Sequence, residues 1–268
     1  MKAPIHADNQ GFSPQSEVKT PPLTLRVATY NIHKGVQGIG PRRRLEIHNL
    51  GHAVEQLDAD VVCLQEVRKE HRREQQHFTR WPDVPQADYL APEGYEAVYR
   101  SNAFTRHGEH GNALLSRWPV LAHAHEDMSD HRFEQRGLLH VEVLFHGVAV
   151  HVVVVHLGLI AGSRMRQQAQ LARYLEREVP PEVPLVVAGD LNDWRASLQP
   201  AFNAIDLRAY ESNHPATFPS RLPLLQLDYV YARGMRPLGV TVPRGRIWAR
   251  MSDHLPVVAE FALELPSP

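Results

Sequence analysis

The chain has few of the features that would place it outside the cell or inside a membrane. Its single cysteine, Cys63, excludes an internal disulfide and suits a reducing compartment. Its longest apolar stretch, residues 147–162, is interrupted by His151 and His156. That stretch falls short of the roughly 20 apolar residues that a membrane span needs. We therefore expect a cytoplasmic protein with no transmembrane segment.

The chain also lacks a charge excess of either sign. Among its 268 residues, 29 are Lys or Arg and 30 are Asp or Glu, so the net charge is −1. This balance predicts no overall attraction to nucleic acid or to anionic lipid, although local patches leave both partners open. Aromatic residues make up only 7% of the chain, and the aromatic and basic surface typical of a nucleic-acid binder is not evident. The apolar content of 43% is ordinary for a globular protein and excludes disorder for most of the chain.

The first 22 residues carry no hydrophobic periodicity and no apolar core of a secretory signal. We expect residues 1–22 to form a disordered or loosely attached tail, and residues 23–265 to form one domain.

Short runs of β-forming residues alternate with turns and a few helices in this predicted domain. A three- and four-residue recurrence of apolar residues predicts an amphipathic helix from Ile47 to Leu57. A second helix is expected to begin with Ser163 as its N-cap. Its apolar face would carry Met165, Ala169, Ala172 and Leu175. Strands are predicted at residues 25–29, 60–65, 96–99, 112–116, 138–144, 148–156, 185–189, 227–232 and 255–261. Many strands with few helices predict a layered α/β fold with two stacked sheets covered by helices.

Several of these strands begin or end on a residue that can take part in chemistry. Strand ends meet at the rim of a sheet, where polar side chains come together without placing unpaired charge in the core. Each such residue alone would also fit an ordinary turn or helix cap, so the set carries more weight than its members. Carboxylates, carboxamides and histidines without a cysteine suit Mg²⁺ or Mn²⁺ rather than a structural zinc ion. The residues are Asn31, Glu66, His156, Asp190, Asn192, Asp228, Asp253 and His254.

Seven motifs, in their order along the chain, resemble the endonuclease/exonuclease/phosphatase superfamily, whose members include DNase I-like nucleases. The resemblance covers about residues 24–263, and it is narrower still to a bacterial branch often encoded beside a cardiolipin synthase. It implies a four-layer α/β sandwich, in which two mostly antiparallel sheets stack and helices flank them. The motifs are Tyr30-Asn31, Leu64-Gln65-Glu66-Val67, Gly111-Asn112-Ala113-Leu114-Leu115-Ser116, Val155-His156-Leu157, Gly189-Asp190-Leu191-Asn192, Leu227-Asp228-Tyr229 and Ser252-Asp253-His254-Leu255-Pro256.

The resemblance also implies roles for the residues at the strand ends. Glu66 would be the principal ligand of a Mg²⁺ or Mn²⁺ ion, and Asp190 would orient or deprotonate the attacking water. His254 would be oriented by Asp228, and His156 would be the second catalytic histidine, with Glu109 as its carboxylate partner. The implied metal set is Asn31, Glu66, Asp190, Asn192 and Asp253. Asn112 and Arg136 would contact the substrate.

Three further patterns are given ordinary interpretations. The run Arg42-Arg43-Arg44 is read as a solvated helix start rather than a second phosphate site. Residues 222–225 offer an apolar rim for acyl chains, but a packed loop is the preferred interpretation. Five histidines match no closed zinc set and are expected in loops and on the surface. They are His107, His110, His123, His125 and His131.

The resulting hypothesis is a metal-dependent phosphodiesterase that acts on a phospholipid-like or small phosphodiester substrate. A metal-dependent nuclease is the second hypothesis, and the resemblance leaves nucleic acid and a lipid surface as partners. An inactive binding protein that keeps the fold is the third, and the complete set of motif residues argues against it.

Replacing Asp190 or His254 with Ala is expected to abolish phosphodiester hydrolysis and to leave the fold intact. The reason is that water activation and charge neutralisation at phosphorus both depend on these groups. The rate of bis-p-nitrophenyl phosphate hydrolysis measures the effect, and circular dichroism checks the fold. A near-wild-type rate in either variant would refute the assigned roles.

Overall fold

The computed structural model describes residues 23–209 and 215–263. The predicted tail, residues 1–22, and residues 264–265 of the predicted domain lie outside this range. No helix within the described residues is long and apolar enough to cross a bilayer. Six α-helices are described: α1 (Ile47–Leu57), α2 (Arg72–His77), α3 (Gln86–Leu90), α4 (Ala161–Glu178), α5 (Gln199–Ala204) and α6 (Trp248–Met251). The strands are β1 (Leu23–Asn31), β2 (Val36–Gln37), β3 (Arg44–Leu45), β4 (Val61–Val67), β5 (Glu96–Thr105), β6 (Gly108–Ser116), β7 (Val120–Asp127), β8 (Gly137–Phe145), β9 (Val148–His156), β10 (Leu185–Asp190), β11 (Arg208–Ala209), β12 (Asp228–Arg233), β13 (Arg236–Thr241) and β14 (Val257–Leu263).

Twelve of these strands form two six-stranded sheets. The first has the order β13-β14-β1-β4-β6-β5 and the second β11-β12-β10-β9-β8-β7. Only β1 with β4 and β9 with β10 are parallel, and the other described pairs are antiparallel. The carboxyl ends of β1, β4, β9 and β10 therefore point to one edge of the stacked sheets, which we call the active edge.

Strand alternation explains why the two sheets stack. Successive side chains point to opposite faces of a strand, so a strand buried on both faces is apolar throughout. In β1, Leu25 and Val27 pack between the sheets, whereas Ala28 and Tyr30 pack against helices. The same alternation in β10 places Val186 between the sheets.

Helices cover the outer faces of both sheets. The first sheet packs its outer face on α1, α3 and α6, and the second packs on α4 and α5. This four-layer arrangement of helices, sheet, sheet and helices confirms the predicted sandwich. The helix predicted from Ile47 to Leu57 has those bounds in the structure.

Two local predictions were wrong. Helix α4 begins at Ala161, and Ser163 lies inside it, where its hydroxyl donates to Asp130 at 2.7 Å rather than capping the helix. Of the predicted apolar face, Leu175 is buried as expected and Ala169 and Ala172 are half-buried, but Met165 is 64% exposed. The buried face runs through Gln167, Gln168, Leu171, Tyr174 and Leu175. Because two glutamines lie on the buried face, counting apolar residues at helical spacing does not identify it.

Strand β13 escaped prediction for a different reason. It is an edge strand with an irregular register between Pro237 and Gly239, and its residues alternate between exposed and half-buried, with none fully buried. Edge strands with Pro and Gly lack the apolar alternation that marks a buried strand.

Replacing Gly111 with Ala is expected to lower the free energy of unfolding by roughly 2–3 kcal/mol, as overpacking does. A Cβ atom at Gly111 would lie 1.9 Å from the carbonyl oxygen of Arg100 on the neighbouring strand. Urea denaturation measures the change. Gly239→Ala is the control, because a Cβ at Gly239 meets nothing within 4 Å. Equal stabilities of the two variants would contradict the packing described here.

Candidate active site

The apolar side chains that pack between the two sheets are followed by polar side chains at the active edge. Positions 25 and 27 of β1, 152 and 154 of β9, and 186 and 188 of β10 pack in the inter-sheet core. Two-residue alternation carries the same face on to Asn31, His156 and Asp190. Asp228, which is paired with Asp190 in register, starts β12 on this face as well. The fold therefore aims these four side chains at one another.

Asp190 lies at the centre of the site. Its Oδ2 accepts a hydrogen bond from Asn31 Nδ2 at 3.0 Å and lies 3.5 Å from His156 Nε2 and 3.6 Å from His254 Nε2. Its Oδ1 accepts from the backbone N–H of Asn192 at 3.0 Å. The Asn31 bond joins the first sheet to the second, so the two sheets share one buried carboxylate.

His254 and Asp228 form a buried pair beside Asp190. His254 Nδ1 lies 2.8 Å from Asp228 Oδ2, which also accepts from the Thr217 hydroxyl at 2.5 Å. Burial disfavours the imidazolium, but the carboxylates of Asp228 and Asp190 outweigh it and raise the pKa of His254 to about 10. His254 is therefore a cation at neutral pH, with its Nε2 directed at Asp190.

The same cluster shifts Asp190 the other way. Burial, together with the charge of Asp228, raises the pKa of Asp190 to about 7, although His254, Asn31 and Asn192 favour the carboxylate. A carboxylate with this pKa can both accept and release a proton near neutral pH. Burial, followed by the charge of Arg136, holds the pKa of His156 well below its usual value, so that histidine is neutral.

Glu66 reaches the site through a backbone irregularity. Plain alternation puts Gln65 between the sheets and Glu66 on the opposite face. The pairing of β4 with β6 shifts register between Leu64 and Val67, and Glu66 has a φ of 56°. A bulge of this kind re-aims a side chain. The charge and the hydrogen bond of Lys34 act on the Glu66 carboxylate and, against its burial, lower its pKa.

Two basic side chains that the sequence analysis did not select complete this part of the site. Lys34 Nζ forms an ion pair with Glu66 Oε2, and His33 Nδ1 lies 2.8 Å from Asp253 Oδ2. His33 and Lys34 have φ values of 45° and 62°, which hold the loop after β1 against β4. In the sequence, the feature that could have identified His33 and Lys34 is their position two and three residues after Asn31.

The structure distributes the remaining predicted residues around this centre. Asn192 donates from its side chain to the carbonyl of Leu157 at 2.9 Å, which fixes the loop after β10 to the loop after β9. Arg136 donates to the same carbonyl at 3.2 Å and pairs with Glu134. Arg136 therefore lies beside His156 at the site entrance.

Glu109 and Asn112 make structural contacts. Glu109 accepts from the backbone N–H groups of Lys69 and Glu70 at 2.7 and 3.0 Å and from the hydroxyls of Tyr99 and Ser101. Among the described residues no hydrogen bond or ion pair joins Glu109 to His156, so the predicted pairing is not present.

Asn112 is buried in β6 and faces the second sheet. Its side-chain nitrogen donates to the carbonyls of Gly137 and Val154 at 2.9 and 3.2 Å. Asn112 therefore ties the two sheets together. The role in substrate contact that the resemblance gave it stays a prediction.

The histidine and arginine interpretations need one correction each. His110 lies in β6, and burial with the positive charges of Lys34 and Arg136 lowers its pKa to about 4, so it belongs to the site surroundings rather than to a surface loop. The run of residues 42–44 is not a helix start, because Arg42 is the last residue of a 3₁₀ turn and Arg44 is the first residue of β3. Arg43, between them, pairs with Glu74. Cys63 is fully buried, as expected for an inert packing residue.

Two groups of acidic residues are available to a cation. Asp190, Asp228 and His254 each place a ligand atom within 4.8 Å of the others. Because His254 is protonated at neutral pH, only the two carboxylates of this group are free to accept a cation. Glu66 and Asp253 form the second group, in which Lys34 pairs with Glu66 and His33 lies beside Asp253. A site of hard oxygen donors matches the divalent-metal dependence that is general in this class of fold.

Two stacked sheets covered by helices, with a buried Asp–His–Asp cluster at their shared edge, form a sandwich of the DNase I-like class. The chain belongs to the Endonuclease/Exonuclease/phosphatase family, whose model matches residues 28–254. This membership identifies it as a hydrolase of the phosphoesterase and nuclease type.

Relatives and solved structures agree with this assignment. The chain is 38% identical over 255 residues to the "Uncharacterized protein YbhP" of Escherichia coli (strain K12). The alignment covers 91% of this chain and 99% of that protein. An endonuclease/exonuclease/phosphatase from Beutenbergia cavernae superposes with a TM-score of 0.67 and 23% identity, over 90% of this chain and 72% of that one. ANGEL2, a 2′,3′-cyclic phosphatase, superposes with a TM-score of 0.67 and 17% identity, over 91% and 96%. At these identities the structural matches establish the fold.

Replacing Asp228 with Asn is expected to lower the pKa of His254, because the paired carboxylate raises it. NMR titration of the His254 ring measures the shift. A histidine whose folded pKa is about 10 contributes stability that is present below its ordinary value of 6.5 and is lost as pH rises towards 10. The stability difference between wild type and variant should therefore be largest below pH 6.5 and shrink above it.

His140 is the internal control for this titration. It is held far from the site by His151 and Tyr174, and burial with the charge of His151 lowers its pKa to about 4. Its titration should be the same in both proteins. An unchanged His254 pKa in the variant would show that Asp228 does not set its charge.

Proposed function

We propose that this protein is a divalent-metal-dependent phosphodiesterase that hydrolyses a P–O bond by in-line attack of water. The supporting observation is the convergence of Asn31, His156 and His254 on one oxygen of Asp190. Such a set supplies a base, a cation and neutral donors within one buried cluster. These are the groups that phosphodiester hydrolysis requires.

In this mechanism Asp190 holds the attacking water and takes its proton. A pKa of about 7 suits that transfer at neutral pH. The Asn31 amide and the Asn192 backbone N–H fix the carboxylate so that its lone pairs meet the water in one orientation. A base held in this way loses little entropy when the reaction begins.

His254 and His156 act on the phosphate. The His254 imidazolium, held by Asp228, neutralises charge that develops on the non-bridging oxygens. Neutral His156 offers one N–H donor to the same phosphate from the other strand. His254 then donates its Nε2 proton to the leaving oxygen, and the proton that Asp190 took from the water passes to His254 Nε2, 3.6 Å away, which restores both groups. The Asp228 partner keeps the ring in the orientation needed.

Glu66, Asp253 and Asn31 are the residues that would hold the divalent cation. Their carboxylate and carboxamide oxygens are the hard donors that Mg²⁺ or Mn²⁺ prefers. In this structure Lys34 Nζ pairs with Glu66 and His33 Nδ1 lies 2.8 Å from Asp253 Oδ2, so a bound cation would displace these contacts from the two carboxylates. When bound, the ion would supply Lewis-acid neutralisation of the phosphate oxygens.

The proposed substrate is a phospholipid-like or small phosphodiester. Cleavage of DNA or RNA is the second candidate, and arginines exposed around the site favour a polyanion of either kind. The retained cluster of ionisable groups speaks against an inactive binding protein. The cytoplasmic location stays a prediction from the sequence.

EDTA is expected to abolish hydrolysis, and Glu66→Gln is expected to raise the Mg²⁺ concentration for half-maximal rate by more than about tenfold. The physical reason is the loss of a charged oxygen ligand. Glu55→Gln is the matched control, because Glu55 is an exposed residue of α1 far from the site. Activity that is unaffected by EDTA would refute the proposed metal dependence.

The substrate class is tested with three substrates in parallel. Bis-p-nitrophenyl phosphate, phospholipid vesicles and plasmid DNA are each incubated with and without EDTA. Faster turnover of the lipid or small diester supports the proposal, and preferential cleavage of the plasmid supports the nuclease.

A further inference from the structure

Eight connecting segments gather at the active edge. The strands that end there or begin there are joined by loops on that same side, since antiparallel neighbours start where parallel ones stop. These segments, which we call the edge loops, surround the site. They are residues 32–46, 68–77, 104–109, 128–136, 157–166, 191–198, 215–227 and 242–256.

Exposed apolar side chains concentrate in the edge loops. Of the fourteen large apolar side chains that are exposed among the described residues, ten lie in them. On the second-sheet side Leu222 and Leu224 are 66% and 70% exposed, so residues 222–225 are not the packed loop that was expected. The others on that side are Phe133, Leu159, Ile160, Met165 and Trp194. A soluble surface seldom gathers so much apolar area without a partner.

The first-sheet side continues this apolar ring. Ile39, Phe104 and Ile247 are exposed in three different edge loops. Phe104 and Phe133 line one cleft of about 410 Å³ together with His110 and Arg136. The apolar ring is therefore continuous with the entrance of the site.

The exposed charges in the edge loops are almost all positive. Their exposed ionised residues are arginines and Lys69, and apart from Glu70 each Asp or Glu in their described residues is buried or half-buried. A net charge of −1 for the whole chain conceals this segregation. Prominent members are Arg106, Arg132, Arg195, Arg221, Arg246 and Arg250.

We propose that the active edge docks onto an anionic lipid bilayer. Aliphatic side chains interleaved with arginines match the interfacial zone, where apolar groups enter the acyl region and guanidinium groups pair with lipid phosphates. A single-stranded nucleic acid would instead call for aromatic stacking platforms, and most of the exposed apolar residues here are Leu, Ile or Met. The bilayer therefore fits the composition of the ring better than a nucleic acid does.

This docking would present the site to phosphodiesters at a membrane surface. Its importance for catalysis therefore rests on the proposed function. Binding itself is independent of turnover. It is measured by co-sedimentation with vesicles of equal parts phosphatidylglycerol and phosphatidylcholine, and with vesicles of pure phosphatidylcholine. The wild-type chain is expected to sediment with the anionic vesicles and to be released by added salt.

Two double variants separate the apolar contribution from the charged one. Leu222→Ser with Leu224→Ser is expected to lower the vesicle partition coefficient by about tenfold. Arg221→Glu with Arg246→Glu is expected to lower it by at least about tenfold on anionic vesicles. The controls are Leu121→Ser, at the opposite end of the second sheet, and Arg173→Glu on α4.

Each outcome bears on the proposal. Loss of binding in both double variants, with normal thermal unfolding and unchanged controls, supports it. Absence of wild-type binding to anionic vesicles overturns it, as does equal binding by the double variants and the controls. DNA binding by the same proteins is measured beside it. An Arg double variant that still binds vesicles but no longer binds DNA also overturns the proposal. Hydrolysis of bis-p-nitrophenyl phosphate in the same samples reports the proposed catalysis separately.

Discussion

The site depends on one buried carboxylate that both sheets share. Asp190 is almost completely enclosed, and a charge in that position is tolerated only with close donors. Asn31 supplies one from the first sheet, and Asn192 and the two histidines supply others from around it. The same contacts that satisfy the carboxylate fix the two sheets at their active edge. The contacts around Asp190 therefore stabilise the active edge and also arrange the groups of the site.

Departures from regular backbone occur where the site needs them. Glu66, His33, Lys34 and Asn192 all have positive φ, a conformation that non-glycine residues adopt at some cost. Regular alternation would turn Glu66 away from Asp253. The bulge in β4 and the tight loop after β1 correct its direction. The cost falls on a few residues whose side chains lie at the active edge.

The molecule is polarised from its core to its edge. Between the sheets lie Val and Leu, at the active edge lie buried ionisable groups, and beyond them lie exposed arginines and aliphatic side chains. Overall charge and composition average over these zones, so they excluded neither a lipid nor a nucleic acid. The three-dimensional distribution distinguishes them because the kind of apolar residue beside the arginines differs for the two partners.

Sequence alone determined the residues that could do chemistry and the layered class of the fold. Strand periodicity is a local property, so Asn31, His156 and Asp190 could be placed at strand ends from the chain itself. Hydrogen-bond partners are not local. Whether Glu109 bonds His156 or a neighbouring loop, whether Glu66 turns inward, and whether His110 faces the site depend on which strands pair and in what register. Tertiary structure decided these points, because they bring together segments far apart in the chain.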